Sequence, residues 1–149
     1  MREATAQDLE GVRVLFREYS ELVASAICFQ SFERELAELP GRYAPPGGAL
    51  LVAVIEGKLA GCVALRQLDS VTGEMKRLYV RPGFQGLGLG RLLTERIVTE
   101  ALRIGYAVLR LDTLPKLHRA IEMYRKMGFY EIPPYGDNPS EAVCFEKTI

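Results

Sequence analysis

The stretch Val80-Arg81-Pro82-Gly83-Phe84-Gln85-Gly86-Leu87-Gly88-Leu89-Gly90-Arg91 joins a strand-like run to the clearest amphipathic helix pattern in the chain. Glycines at alternate positions 86, 88 and 90 open backbone conformations closed to other residues and let a ligand come close to the main chain. A helix starting behind them leaves the N–H groups of its first turn unpaired, and its dipole adds about half a positive charge at that end. Phosphate is the guest such a turn favours. Lys76, Arg77, Arg81 and Arg91 fall within sixteen residues that carry no acidic side chain, so a basic cluster is expected beside it. The alternative is a tight strand-to-helix connection whose basic residues are simply solvated.

The turn itself narrows the ligand. A nucleotide-hydrolysing loop needs Gly-Lys-Ser/Thr at its end, and here Gly90 is followed by Arg91-Leu92. A dinucleotide reading draws on Asp112, about twenty residues further on, where a ribose-binding acid would fall. Its register fails, because G-x-G-x-G puts Leu89 and Arg91 where G-x-G-x-x-G wants a free position and the third glycine.

Working outward, Leu89, Leu92, Leu93, Ile97, Ala101 and Ile104 stripe one side of a helix over 89–104 that Gly105 closes. Upstream, a strand over 72–80 follows a hairpin of 49–55 and 58–66 with Glu56-Gly57 as its turn. Further back, Thr5-Ala6-Gln7-Asp8 has the shape of a helix start. Leu9, Val12, Leu15, Phe16, Tyr19, Leu22 and Val23 then repeat at helical spacing. Ser31 is expected to cap a second helix carrying Leu36 and Leu39, stopped by Pro40-Gly41. Downstream come a strand over 107–111, a helix over 117–127, an extended piece near Phe129, and a last strand over 142–147. The order βααβββαβαββ predicts a single α/β (or α+β) domain over 1–149, with a central mixed sheet flanked by helices on both faces.

With 149 residues, 48% apolar and 26% charged, the chain has the makeup of one globular domain. Lys+Arg and Asp+Glu both number 19, which disfavours partners held by long-range charge, so no nucleic acid and no membrane surface are expected. Apolar runs fall short of the ~20 residues that span a bilayer, and Met1-Arg2-Glu3 lacks a secretory apolar stretch, so a cytoplasmic protein is expected. Cys28, Cys62 and Cys144 match no zinc spacing, so no metal is expected, and Cys62 and Cys144, each inside an apolar stretch, read as small buried hydrophobes. His118, the only histidine, reads as a surface or capping residue.

Gln85-Gly86-Leu87-Gly88-Leu89-Gly90 resembles the Q/R-x-x-G-x-G/A signature of the GNAT superfamily, the acetyl-CoA-dependent N-acetyltransferases. Arg2-Glu3-Ala4-Thr5, Glu74-Met75-Lys76-Arg77-Leu78-Tyr79-Val80-Arg81-Pro82 and Ala120-x-x-x-Tyr124-x-x-x-Gly128-Phe129 follow in that family's order, so the similarity covers nearly the whole chain. The resemblance implies acetyl-CoA as co-substrate. Main-chain N–H groups of Gln85, Gly86, Leu87, Gly88, Leu89 and Gly90 would hold its pyrophosphate with Arg91 beside them, and backbone groups of Leu78, Tyr79 and Val80 would pair with the pantetheine arm. The sheet must then splay between the 72–80 and 107–111 strands. Leu117 stands where many relatives carry an asparagine, so that amide contact to the pantetheine is missing.

Acetyl transfer needs a neutral amine and a departing thiolate. Neutralising a lysine-like amine at pH 7 costs roughly 4.6 kcal/mol, whereas a cysteine-like thiol leaving as thiolate costs roughly 2 kcal/mol, so base assistance matters more than acid assistance. Glu74 matches the position of the glutamate that serves some histone-modifying relatives, which implies a base acting directly or through water. Its alternatives are to bind the substrate's cation or to neutralise Lys76. Tyr124 lies on its helix's apolar stripe as a core tyrosine would, and the resemblance implies that its hydroxyl protonates or hydrogen-bonds the leaving thiolate. A main-chain N–H at Tyr79 or Val80 would serve the oxyanion. The acceptor is a small-molecule or peptide amine, with Phe29, Tyr43, Tyr135 and Asp137 as candidate lining residues. A homodimer, a non-catalytic acyl-CoA sensor and, more remotely, a dinucleotide-dependent oxidoreductase remain as alternatives.

Overall fold

The computed structural model describes residues 1–23 and 29–149. Its elements are β1 (Arg2–Glu3), α1 (Leu9–Leu22), α2 (Phe29–Glu38), β2 (Ala49–Ile55), β3 (Lys58–Gln67), β4 (Thr72–Val80), α3 (Leu89–Ile104), β5 (Val108–Thr113), α4 (His118–Lys126), β6 (Tyr130–Ile132) and β7 (Val143–Thr148). The expected order and the helices on both faces are found. Glu56 and Gly57 both take positive φ, which matches the twist of a two-residue hairpin and pairs Ile55 with Lys58. Asp8 accepts the backbone N–H of Thr5 at 2.7 Å and its hydroxyl at 3.0 Å, and this short turn precedes α1. Ser31 does not cap α2. It lies inside the helix, where the docking of Phe32 and Leu36 on the sheet outweighs the weak preference of a serine for a helix end.

The seven strands form one sheet in the order β1-β2-β3-β4-β5-β7-β6. Among the described residues only β4 and β5 run parallel. On one face Leu93, Ile97 and Ala101 of α3 and Tyr124 of α4 pack on Leu51, Val63, Leu65, Leu109 and Leu111. On the other, Val12, Leu15 and Phe16 of α1 and Phe32 and Leu36 of α2 cover Val52, Cys62, Ala64 and Tyr79. Each buried Val, Leu, Ile or Phe among them contributes about 1.5–3 kcal/mol, which fixes both helix layers against the sheet.

Two irregularities in β4 open the sheet and aim its side chains. The strand pairs with β5 only over Thr72–Glu74, against Val108, Leu109 and Arg110, so from Met75 onward the two strands part, as the splay requires. Its register with β3 also shifts, because Cys62 opposes Tyr79 while Ala64 opposes Lys76, leaving both Arg77 and Leu78 against Val63. This is a bulge, and Arg77 in it takes φ 59°. A left-handed non-glycine residue costs about 1–2 kcal/mol. The Glu35 carboxylate of α2 accepts two hydrogen bonds from the Arg77 guanidinium, both at 2.9 Å, and the Cys62 thiol donates to the Arg77 carbonyl at 3.4 Å.

Candidate active site

At the end of β4, Gly86 and Gly88 have φ 85° and 79°, and a Cβ on either would touch nothing within 4 Å. Backbone conformation, rather than crowding, is what requires glycine there. Gly88 precedes the first residue of α3 and no side chain caps the helix. Among the described residues, no protein acceptor takes the N–H groups of Gly86 to Arg91; the first bond in this region is Leu92 N–H to Gly88 O, 3.1 Å. Gly90 sits inside the first turn, where a Cβ would come no nearer than 3.9 Å to Met123 Sδ. The result is an open row of donors at a positive helix end, which fits a diphosphate.

The basic cluster expected around this turn is not there. Lys76 pairs with Asp112 at 3.4 Å, Arg77 with Glu35, and Arg81 with Glu18 at 2.8 Å, all away from the glycines. Successive strand residues point to opposite faces, so neighbours in sequence disperse in space. Only Arg91 stands at the helix start, exposed and 3.0 Å from Glu95. Asp112 faces Lys76 and Asn138, so it is occupied away from the ribose role weighed for it.

The splay supplies a second row of main-chain groups. Arg81 N–H donates to Ala60 O of the segment that includes β3 at 2.9 Å, so alternation turns the Tyr79 amide toward β3 and those of Leu78 and Val80 toward the opening. Gln85 Nε2 donates to Val80 O at 3.0 Å and ties the strand's end to the glycine turn. Tyr124 is buried, with its ring against Phe129 and Phe145. Its hydroxyl makes no hydrogen bond among the described residues. Burial pushes its phenol up, with smaller contributions from Tyr19 and Asp112, which stand on the far side of the sheet opening. It stays a proton donor at every working pH.

On the α1/α2 face, the mouth of the splay widens into a cleft of about 750 Å³. That volume suits a small ligand. Glu74, the last β4 residue paired with β5, lies at its head and is 1% exposed. Its Oε1 accepts Arg66 Nε at 2.7 Å and its Oε2 accepts the Tyr135 hydroxyl at 2.6 Å. Burial and the Glu74 carboxylate push the Tyr135 phenol up, so it remains a donor. The Arg110 guanidinium sits 5.2 Å over the Tyr135 ring and holds the 133–142 segment against the sheet. Tyr135 and Asp137 line the cleft as expected, whereas Tyr43 does not. Tyr43 is buried in the core, edge-on to Phe16, because its ring closes the α1/α2 layer. The side chain of Phe29 and all of Cys28 lie outside the described residues.

Cys62 and Cys144 are both buried, Cys62 in the apolar layer under α1 and α2 and Cys144 beside Asp112, and burial pushes the Cys62 thiol up to about 12. Among the described residues no three His, Cys, Asp or Glu side chains gather closely enough to hold a metal ion. No helix there is long and apolar enough to cross a membrane. His118 is exposed at the start of α4. Sequence reasoning misses Arg66 and the anchoring part of Tyr135. A clue lies in the hairpin, since position 66 falls opposite Glu74 once β3 and β4 are paired antiparallel.

The fold recurs in known proteins. The model of the acetyltransferase (GNAT) family matches residues 11–129. An uncharacterized N-acetyltransferase of Schizosaccharomyces pombe is 40% identical over 143 residues, covering 95% of this chain and 88% of that protein. A GNAT-family acetyltransferase of Staphylococcus aureus superimposes with a TM-score of 0.82 at 20% identity, over 98% of this chain and 96% of its own. The PaiA N-acetyltransferase of Thermoplasma acidophilum, solved in complex with coenzyme A, gives 0.75 at 19% identity over 99% and 97%. Glycine turn, bulged strand and splayed sheet thus stand in a chain whose sequence matches one family over most of its length, and it belongs to the GNAT acetyltransferases.

Proposed function

We propose that this N-acetyltransferase moves the acetyl group of acetyl-CoA to a primary amine by direct attack in a ternary complex. The observation that carries this reading is the unpartnered row of N–H groups from Gly86 to Arg91, which leads along β4 into the splay. The diphosphate sits on that row, with Arg91 beside it. The pantetheine arm pairs with backbone groups of Val80 and Leu78 as an added strand. The thioester then lies near the mouth of the splay, between Glu74 and the Tyr124 hydroxyl.

In the reaction the amine lone pair forms the C–N bond at the thioester carbonyl. The developing oxyanion is taken by a β4 amide facing the splay. Leu78, four residues beyond Glu74, is the nearer of the two, and Val80 serves the arm. Of the two amides the sequence offers for the oxyanion, Tyr79 and Val80, the first is turned to β3 and the second is given to the arm, so Leu78 replaces both. The amine lone pair is freed beforehand, when the bound ammonium gives a proton to Glu74 by way of the Tyr135 hydroxyl that already donates to it, and the proton shed by the adduct's nitrogen leaves to solvent. Collapse of the adduct breaks the C–S bond. A phenol near 10 even unperturbed is a weaker acid than a thiol near 8.5, so Tyr124 hydrogen-bonds the thiolate rather than protonating it outright. The thiolate takes its proton from water.

Two measurements test the reading. Acetyl-CoA and free CoA should raise the melting temperature while NAD(P)H does not; at about 100 times Kd a ligand contributes near 2.7 kcal/mol. Thiol release from acetyl-CoA should then depend on an added amine. Stabilisation without release across a broad amine panel would make the chain a sensor, and stabilisation by NAD(P)H alone would revive the oxidoreductase alternative.

A further inference from the structure

The charged groups of the cleft are engaged unequally. Glu35 is held by Arg77 through two hydrogen bonds, Glu74 by Arg66 and Tyr135, and Asp112 by Lys76 and by Asn138 Nδ2 at 2.8 Å. Asp137 and Glu141 also line the cleft but are solvent-exposed. The donors are far from exhausted. Arg66 uses only its Nε, toward Glu74, and Arg42 uses only one terminal nitrogen, toward the Gln67 carbonyl at 3.0 Å. Among the described residues, both terminal nitrogens of Arg66 and the remaining N–H groups of Arg42 have no acceptor. Both side chains line the cavity, and that of Arg66 is 26% exposed.

Their placement matters as much as their valence. Arg66 faces Glu74 directly in the β3–β4 register, and Glu74 is where β4 leaves β5. The guanidinium therefore stands beside the point where an amine must lose its proton and reach the thioester. A guanidinium with two parallel N–H groups free is shaped for a carboxylate, and the charge-assisted pair is about twice as strong as a neutral one. The acceptor's own cation meets Glu74 and the Tyr135 oxygen on the same wall. An amine alone leaves the arginine donors to water; an amine with a nearby carboxylate satisfies both ends.

We infer that the acceptor is a free amino acid or close analogue, its carboxylate held by Arg66 and Arg42 and its amine directed at the splay. This rests on the acetyl-transfer reading above. The test is acetyl-CoA-dependent thiol release with matched sets: the common amino acids, their carboxamides, and the corresponding amines lacking the carboxyl group. At least one amino acid should exceed its carboxamide by about 100-fold in kcat/KM. Arg42→Gln, at an exposed position, should bring that ratio below about tenfold. Arg66→Lys, which keeps a cation against Glu74 but loses the paired N–H groups, should narrow it as well. If carboxamides or plain amines are used as well as or better than amino acids, or if both variants leave the ratio intact, the inference is overturned while acetyl transfer stands. It is likewise overturned if acetyl-CoA stabilises the protein and no amino acid is acetylated. Absence of both acetyl-CoA stabilisation and thiol release with every amine defeats the transferase reading itself.

Discussion

The two halves of the candidate site are built on opposite principles. The glycine turn is one unbroken run of chain, its working groups are backbone N–H, and the side chain of Leu87 in its middle is 61% exposed. The acceptor cleft gathers side chains from α1, α2, β3, β4, β5 and the segment before β7, and its buried and half-buried charges pair across elements: Glu74 with Arg66, Asp112 with Lys76 and Glu35 with Arg77. A site of amides tolerates any side chain that leaves the backbone free, and is damaged by an added Cβ. A site of paired side chains is damaged by removing one atom, because the partner is left buried and unpaired.

That contrast ranks the expected effects. Glu74→Gln should lower kcat/KM by about 10³-fold, the middle of the range for a lost general base, with little change in acetyl-CoA binding by calorimetry. Unchanged kcat/KM and pH profile would reduce Glu74 to a structural ion-pair partner of Arg66. Tyr124→Phe should lower kcat by about 10²-fold and leave the melting temperature nearly unchanged, since the hydroxyl has no protein partner to lose. Loss of stability alone would return it to the core. Gly88→Val forces a branched side chain into a left-handed conformation, so urea titration should show a loss of about 1–2 kcal/mol, with KM for acetyl-CoA raised roughly tenfold. Leu87→Ala, one residue away, should alter that KM by less than about twofold, because only its backbone is used.

A further small effect lies outside both halves. Arg81 above all, and Tyr79 after it, hold the Glu18 carboxylate below its usual range. Its contribution is therefore present above the ordinary carboxylate pKa and lost as pH falls. Both partners are about one-third exposed, so Glu18→Gln should cost no more than about 1 kcal/mol at pH 7. The gap from the parent should close in denaturation curves taken between about pH 5 and 3.

The same contrast explains what is legible in the sequence. The turn, α3 and the β2–β3 hairpin are local, so alternate glycines, a 3.6-residue stripe and Glu56-Gly57 state them within a dozen residues. The splay is legible only through the family resemblance, since nothing in 107–111 says that pairing stops at Glu74. Lys76, Arg77 and Arg81 mislead because adjacency in a strand is not adjacency in space, and the bulge that drives Arg77 into the left-handed region has no marker of its own. Arg66, Glu74 and Tyr135 converge from three segments through the β3–β4 register and a loop. Glu74 stands out in the sequence, but its partners do not.

The central claim is that bare amides from Gly86 to Arg91 receive the diphosphate of acetyl-CoA. Amide resonances of isotope-labelled protein, followed as CoA is added, test it residue by residue. Saturable shifts concentrated on Gly86, Leu87, Gly88, Leu89, Gly90 and Arg91, extending to Leu78 and Val80, are the predicted result. Shifts confined to other parts of the chain, or none at concentrations that stabilise the fold, would contradict it.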